Sequence, residues 1–165
     1  MLKTALLFLT SLLKLSNSYK IISGIFQSNI FYSIDNKINE QDRICIDNAV
    51  EEINRYYNYT NKKVYIFNDC YFCDNIKYHT IDSVGFAIIK AYYTTNNWKK
   101  SSCNIYIKQG LDPNICNNVM LHEFLHCLGL DHSDDKTSVM GYHVTDDNSK
   151  LVLNEDDVTG LLNLS

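Results

Sequence analysis

The chain has 165 residues, enough for one domain with a buried core, and is 45% hydrophobic and 21% charged, as a globular protein is. Nineteen acidic against 15 basic residues leave a formal net charge of −4, and no basic stripe runs through the sequence, which argues against nucleic acid as a partner. No Gly-, Ser- or Pro-rich linker, internal repeat or low-complexity tract divides it.

The first 18 residues read as a secretory signal peptide. Lys3 gives a positive start, residues 5–13 are an apolar run, and Ser16 to Ser18 offer a cleavage site after Ser18. The run is too short to span a bilayer comfortably. The expectation is a secreted, extracellular domain over residues 19–165 with no stable membrane anchor, the alternative being an uncleaved anchor or a buried N-terminal helix. Residues 29–34 are apolar, aromatic and β-branched and predict a strand. Asn39 or Asp42 can cap the next element. There Ile44, Ala49, Val50, Ile53 and Tyr57 recur at helical spacing, and Asp47, Glu51, Glu52 and Arg55 form the solvated face.

Further strands are predicted at 63–67, 75–80, 83–90 and 103–108, with the polar residues 94–102 as a loop. Asp112 caps and Pro113 opens a second helix, with Met120, Leu121, Phe124, Leu125 and Leu128 on its core face. Residues 133–137 are a polar loop. Asn154 to Asp157 start a closing helix, with acidic side chains near the positive end of its dipole and Val158, Leu161 and Leu162 packing it down.

Six cysteines in a short secreted chain imply disulfides, and six allow fifteen pairings. Cys103 and Cys116 flank a strand and turn and are the favoured pair. Cys70 and Cys73 form C-x-x-C, read as two cysteines bridging elsewhere, one of them to Cys45, rather than as a redox motif or second zinc site. Cys127 serves equally as a core thiol or a bridge. Asn58-Tyr-Thr60 and Asn163-Leu-Ser165 are glycosylation sequons.

The chemistry is concentrated in residues 122–132, which read H-E-x-x-H-x-x-G-x-x-H. His122 and His126 stand one turn apart on one helix face and can take two corners of a zinc tetrahedron. Gly129 lets the helix stop in a left-handed conformation, and His132 can return as a third ligand. A fourth position is left for water, the mark of a catalytic rather than a structural zinc. Glu123 can reach that water as a general base. Met140 follows His132 by eight residues, which completes the metzincin signature of extended zinc motif and Met-turn.

From about Ile30 onward the chain resembles the catalytic domain of matrixins, the matrix-metalloproteinase branch of the metzincins. Ser133 directly after the third His, the His132-to-Met140 spacing, and residues 153–162, where acidic residues precede a glycine and a hydrophobic run, carry the resemblance. It implies an α+β metzincin-like catalytic domain. Its twisted five-stranded mixed sheet would be joined by two long helices and a C-terminal helix, with the active-site cleft between the sheet and the Met-turn subdomain.

It further implies a zinc endopeptidase acting on an extended peptide or protein substrate, with extracellular proteins as its class. His122, His126 and His132 would bind one catalytic Zn²⁺, Glu123 would be the catalytic base, and Met140 would form an apolar floor. Residues 86–88 would offer a strand edge to the substrate backbone unless the following loop covers it, and residues 142–152 would wall a specificity pocket.

Departures from the family pattern limit what carries over. The cysteine-switch motif, with Cys between Arg and Gly, is not matched, so no latency mechanism carries over. His79 is the only histidine upstream of the zinc helix, so a structural zinc is not expected and calcium stays open. Tyr142 stands where matrixins usually have proline. It is either a packing aromatic or a candidate transition-state stabiliser, as the corresponding tyrosine looks in astacins and serralysins. His143 is read as a wall histidine. A secreted zinc-containing module that binds a partner protein without turnover is the competing expectation. Oligomeric state is not legible.

Overall fold

A computed structural model of the chain describes residues 30–57, 64–66, 76–81, 85–94, 97–142 and 152–163. The signal-peptide reading, the Asn58 sequon, Cys70, Cys73 and His143 lie outside the described residues. The described part is mixed α/β: strands β1 (Ile30–Ile34), β2 (Val64–Ile66), β3 (Ile76–Ile81), β4 (Gly85–Thr94) and β5 (Asn97–Lys108), and helices α1 (Glu40–Tyr57), α2 (Pro113–Leu128) and α3 (Glu155–Asn163). The strands pair in the order β2-β1-β3-β5-β4. β1 runs parallel to β2 and to β3, β3 runs parallel to β5, and β4 returns antiparallel along β5 as an edge strand. No helix among the described residues is long and apolar enough to cross a membrane.

The sheet is clothed by helices on one face. Along β5, Cys103, Ile105 and Ile107 are buried while Asn104 and Tyr106 are partly exposed, the period of two that a half-covered strand requires. Tyr32 of β1 touches both long helices: its ring meets Phe124 of α2 edge-on at 6.2 Å, and its hydroxyl donates to Asp47 of α1 at 3.2 Å. α1 and α2 therefore share a face of the sheet. Tyr78 of β3 joins the same cluster, 5.8 Å from Tyr32 and stacked on Phe124 at 6.3 Å. Such aromatic pairs add to the stabilisation from burial alone.

Asn39 proves to be the cap of α1. Its Oδ1 accepts the Asp42 N–H at 2.8 Å, and its Nδ2 donates to the Asp42 carboxylate at 2.8 Å. The buried face of the helix is Cys45, Ile46, Ala49, Val50 and Ile53, which corrects the sequence reading at two positions. Ile44, expected in the core, is 46% exposed, because the face is centred one residue further on, at Cys45 and Ile46. Glu52, assigned to the solvated face, is only 1% exposed: its carboxylate accepts the Leu153 N–H at 3.1 Å and pairs with Arg55 at 2.8 Å. A buried carboxylate survives when it is paired in this way, and here it ties α1 to the segment leading into α3.

Two further corrections concern β5 and α3. Residues 97–102, expected in a loop, are strand, and the antiparallel ladder runs on to Thr94 opposite Asn97, with an irregularity at Lys90/Ala91. Backbone pairing needs no apolar side chain, so a polar strand is invisible to a reading by hydrophobicity. In α3, Leu161 is buried as expected, but Leu162 is 42% exposed.

The favoured Cys103–Cys116 pair is not formed. Cys103 is bonded to Cys127, with Cα atoms 5.6 Å apart, because β5 presents Cys103 to the C-terminal turn of α2 rather than to its start. This bond closes a loop across 24 positions. The double variant Cys103→Ser/Cys127→Ser is expected to lose about 3 kcal/mol, a fall of about 10 °C in Tm, by calorimetry under non-reducing conditions. A change within 2 °C or so would mean that packing alone holds α2 on the sheet.

Candidate metal centre

Helix α2 is fixed at both ends. The Asp112 side chain accepts the Asn114 N–H at 3.0 Å, and Pro113 occupies the first turn, where its missing N–H has no partner to lose. At the other end Gly129 adopts φ 129°, a conformation that strains any residue with a side chain. Its N–H is shared between the Leu125 and His126 carbonyls, both at 3.0 Å, and the Leu130 N–H returns to Leu125 at 3.1 Å. The chain is turned back, and His132 comes alongside the helix.

The structure brings His122, His126 and His132 together. Ring centroids lie 4.6 Å (122 to 126), 4.7 Å (126 to 132) and 5.2 Å (122 to 132) apart. One ligand nitrogen from each lies within 4.8 Å of the others, and no other such group of three occurs among the described residues.

Two rings are locked by the backbone. His122 donates through Nδ1–H to the Val139 carbonyl at 2.7 Å, and His126 donates through Nδ1–H to the Leu130 carbonyl at 2.8 Å. A carbonyl only accepts, so Nδ1 carries the proton in both and each Nε2 keeps its lone pair. Burial pushes the His122 imidazole down to about 4, which keeps it neutral and ready to ligate at pH 7. His132 is a third exposed, with Nδ1 3.5 Å from the Asp131 carboxylate.

Three imidazoles so arranged offer the donor set of a tetrahedral metal ion bound through nitrogen at about 2.0–2.1 Å. Glu123 lies beside the first of them, 7% exposed, and burial raises its carboxyl to about 7. Tyr142 stacks on His132, centroids 4.9 Å apart and planes 16° apart, with the side chain 58% exposed.

Met140 is buried in the turn that follows. The Ser133 N–H donates to the Met140 carbonyl at 2.8 Å, and the Gly141 N–H to the Ser138 carbonyl at 3.0 Å. A Cβ on Gly141 would stand 3.2 Å from that carbonyl, so the turn has little room for a larger residue.

Sequence reasoning missed what holds this turn. Asp157 of α3 accepts from the Val139 N–H at 3.0 Å, the Met140 N–H at 3.3 Å and the Ser138 hydroxyl. It also closes a reciprocal cap with Asn154, accepting the Asn154 N–H at 3.0 Å while its own N–H donates to Asn154 Oδ1 at 2.9 Å. Burial raises its carboxyl, and these donors pull it part of the way back. Asp156 accepts from the Ser133 hydroxyl at 2.7 Å. The signal was two acids side by side at a helix start: two successive side chains leave the axis in different directions, so at least one is free for something other than the helix's own dipole.

Residues 90–164 match the family model of the matrixins, a stretch that starts within β4 and takes in β5, α2, the three histidines, the Met140 turn and α3. A search of curated proteins finds no match. Over these residues the chain is similar to the matrixins, a family of metalloproteases.

Proposed function

We propose that the protein is a secreted zinc-dependent endopeptidase in which His122, His126 and His132 hold the metal and Glu123 is the general base. The observation that carries this reading is the convergence of three imidazoles, two of them backbone-locked with Nε2 free, next to a buried carboxylate. Imidazole donors suit zinc, and the matrixin match implies the same metal. Zinc bound there would supply a Lewis acid for the scissile carbonyl and lower the pKa of a water to about 7.

The chain's own residues do the rest. The Glu123 carboxylate takes the proton of the attacking water and returns it to the leaving amine, a role suited to a carboxyl that burial has raised to about 7. The Val139 and Leu130 carbonyls hold the His122 and His126 rings in one tautomer and orientation. β4 is the edge of the sheet, which suits backbone pairing with an extended substrate along residues 86–88. The cleft would lie between this edge and the Met140 turn.

Tyr142, exposed and stacked on His132, would donate its hydroxyl to the oxyanion of the transition state. Tyr142→Phe is then expected to lower kcat about 10- to 100-fold with KM little changed, read from steady-state kinetics on one peptide. An unchanged kcat would make Tyr142 a packing ring only.

The reading is tested with a mixed fluorogenic peptide library and the protein folded with zinc. Hydrolysis that stops with phenanthroline and returns with added zinc is the expected result. Zinc-loaded, folded protein that cleaves nothing above the chelated control would replace the peptidase with a zinc-containing binding module.

A further inference from the structure

Cys45 and Cys116 meet in the interface between α1 and α2. Both are buried, and neither takes part in the Cys103–Cys127 bond. The Cys116 thiol donates to Asp42 Oδ1 at 3.7 Å, and the Cys45 and Cys116 side chains lie within hydrogen-bonding reach of each other. Asn48, one turn after Cys45, donates to Asn117 Oδ1 at 3.2 Å, so the two helices touch on either side of the sulfurs.

We infer that Cys45 and Cys116 close a second disulfide in the mature protein, so that the helix carrying His122 and Glu123 is stapled at both ends. Cys116 is the fourth residue of the sixteen-residue α2 and would be bonded to α1; Cys127 is the fifteenth and is bonded to β5. Conditions oxidising enough to form Cys103–Cys127 also oxidise a second pair of thiols held in contact. The step is thiol–disulfide exchange with an external disulfide, such as oxidised glutathione.

One of the two cysteines, as its thiolate, attacks that disulfide, forms a mixed disulfide and releases one thiolate. The other sulfur, having given up its proton, then displaces the second. Two protein thiols lose two protons and two electrons, and one external disulfide becomes two thiols. Exchange precedes closure of the helix pair, while both sulfurs are still accessible, and native packing then retains the bond. This pairing replaces the sequence expectation that Cys45 bridges to Cys70 or Cys73.

The test is a peptide map of the protein folded in a glutathione redox couple, denatured without reductant in iodoacetamide and cut with trypsin and Glu-C. Cleavage after Glu123 separates Cys116 from Cys127, so each bond is read independently. The expected product is peptide 44–51 joined to peptide 109–123, converted to its two parts by reductant. Alkylated Cys45 and Cys116, or peptide 44–51 joined to peptide 64–77, overturns the proposal.

A thermal series adds a second readout. Cys45→Ala, Cys116→Ala and the double variant should each melt lower by the same amount, about 10 °C, under non-reducing conditions. Small, additive losses overturn it equally. Neither outcome bears on zinc binding or turnover.

Discussion

Glu123→Gln is expected to keep one zinc per chain while lowering kcat for peptide hydrolysis by at least about 10²–10⁴-fold, the range for loss of a positioned general base. Zinc would be retained because the three residues proposed to hold it are His122, His126 and His132, and Glu123 is not among them. KM should change little, since the lost interaction is made only in the transition state. Zinc analysis beside steady-state kinetics on the same preparation checks this, and loss of both zinc and turnover would make Glu123 a structural residue instead.

A stability readout accompanies it. Burial raises the Glu123 carboxyl from 4.5 to about 7, so the folded, metal-free protein binds a proton that the unfolded chain has released. That contribution is present below pH 4.5 and is lost as pH rises through about 7. Above pH 7 the buried charge weighs against the fold. Metal-free Glu123→Gln should therefore be the more stable protein at pH 8, by at most about 3 kcal/mol, in denaturant melts.

Asp157→Ala carries the largest expected structural effect. It removes the acceptor of the Val139 and Asn154 N–H groups and of the Ser138 hydroxyl at once, and the longer of the two contacts of the Met140 N–H, which keeps Ser138 Oγ at 2.9 Å. Buried donors left without partners cost about 1–3 kcal/mol each before relaxation, so a loss of about 3–5 kcal/mol is expected. The effect should reach the metal. Val139 accepts from His122 at 2.7 Å, and a turn no longer pinned through the Val139 N–H lets that carbonyl drift. Weakening of such outer contacts typically costs about 10–100-fold in metal affinity, measured here by competition with a chromophoric chelator. A variant that is destabilised but binds zinc as tightly as the parent would confine Asp157 to a capping role.

The metal helix was readable because its information is local. Two histidines four apart, a glycine at the stop and an acid–proline start are all decided within one or two turns of chain, and the structure places each on α2 or its caps. The same locality explains the Asn39 cap and the alternation along β5. What was not readable depends on partners far away in sequence. Glu52 looks solvated until Leu153, 101 residues on, supplies a buried N–H. Cys127 has no local feature that selects Cys103 over the other thiols. The first half of β5 is polar, and only its ladder with β4 makes it strand. Asp157 looked like a dipole acid because its donors belong to a turn 17 to 19 residues earlier.

The central claim is that three imidazoles hold zinc, and X-ray absorption at the zinc edge on the stoichiometric complex tests it most directly. The account predicts one zinc per chain with three imidazole nitrogens and one oxygen ligand at about 2.0–2.1 Å, and loss of stoichiometric zinc in His126→Ala. A shell containing sulfur at about 2.3 Å, or zinc bound as well by His126→Ala as by the parent, would put the metal on cysteines or elsewhere and contradict the account.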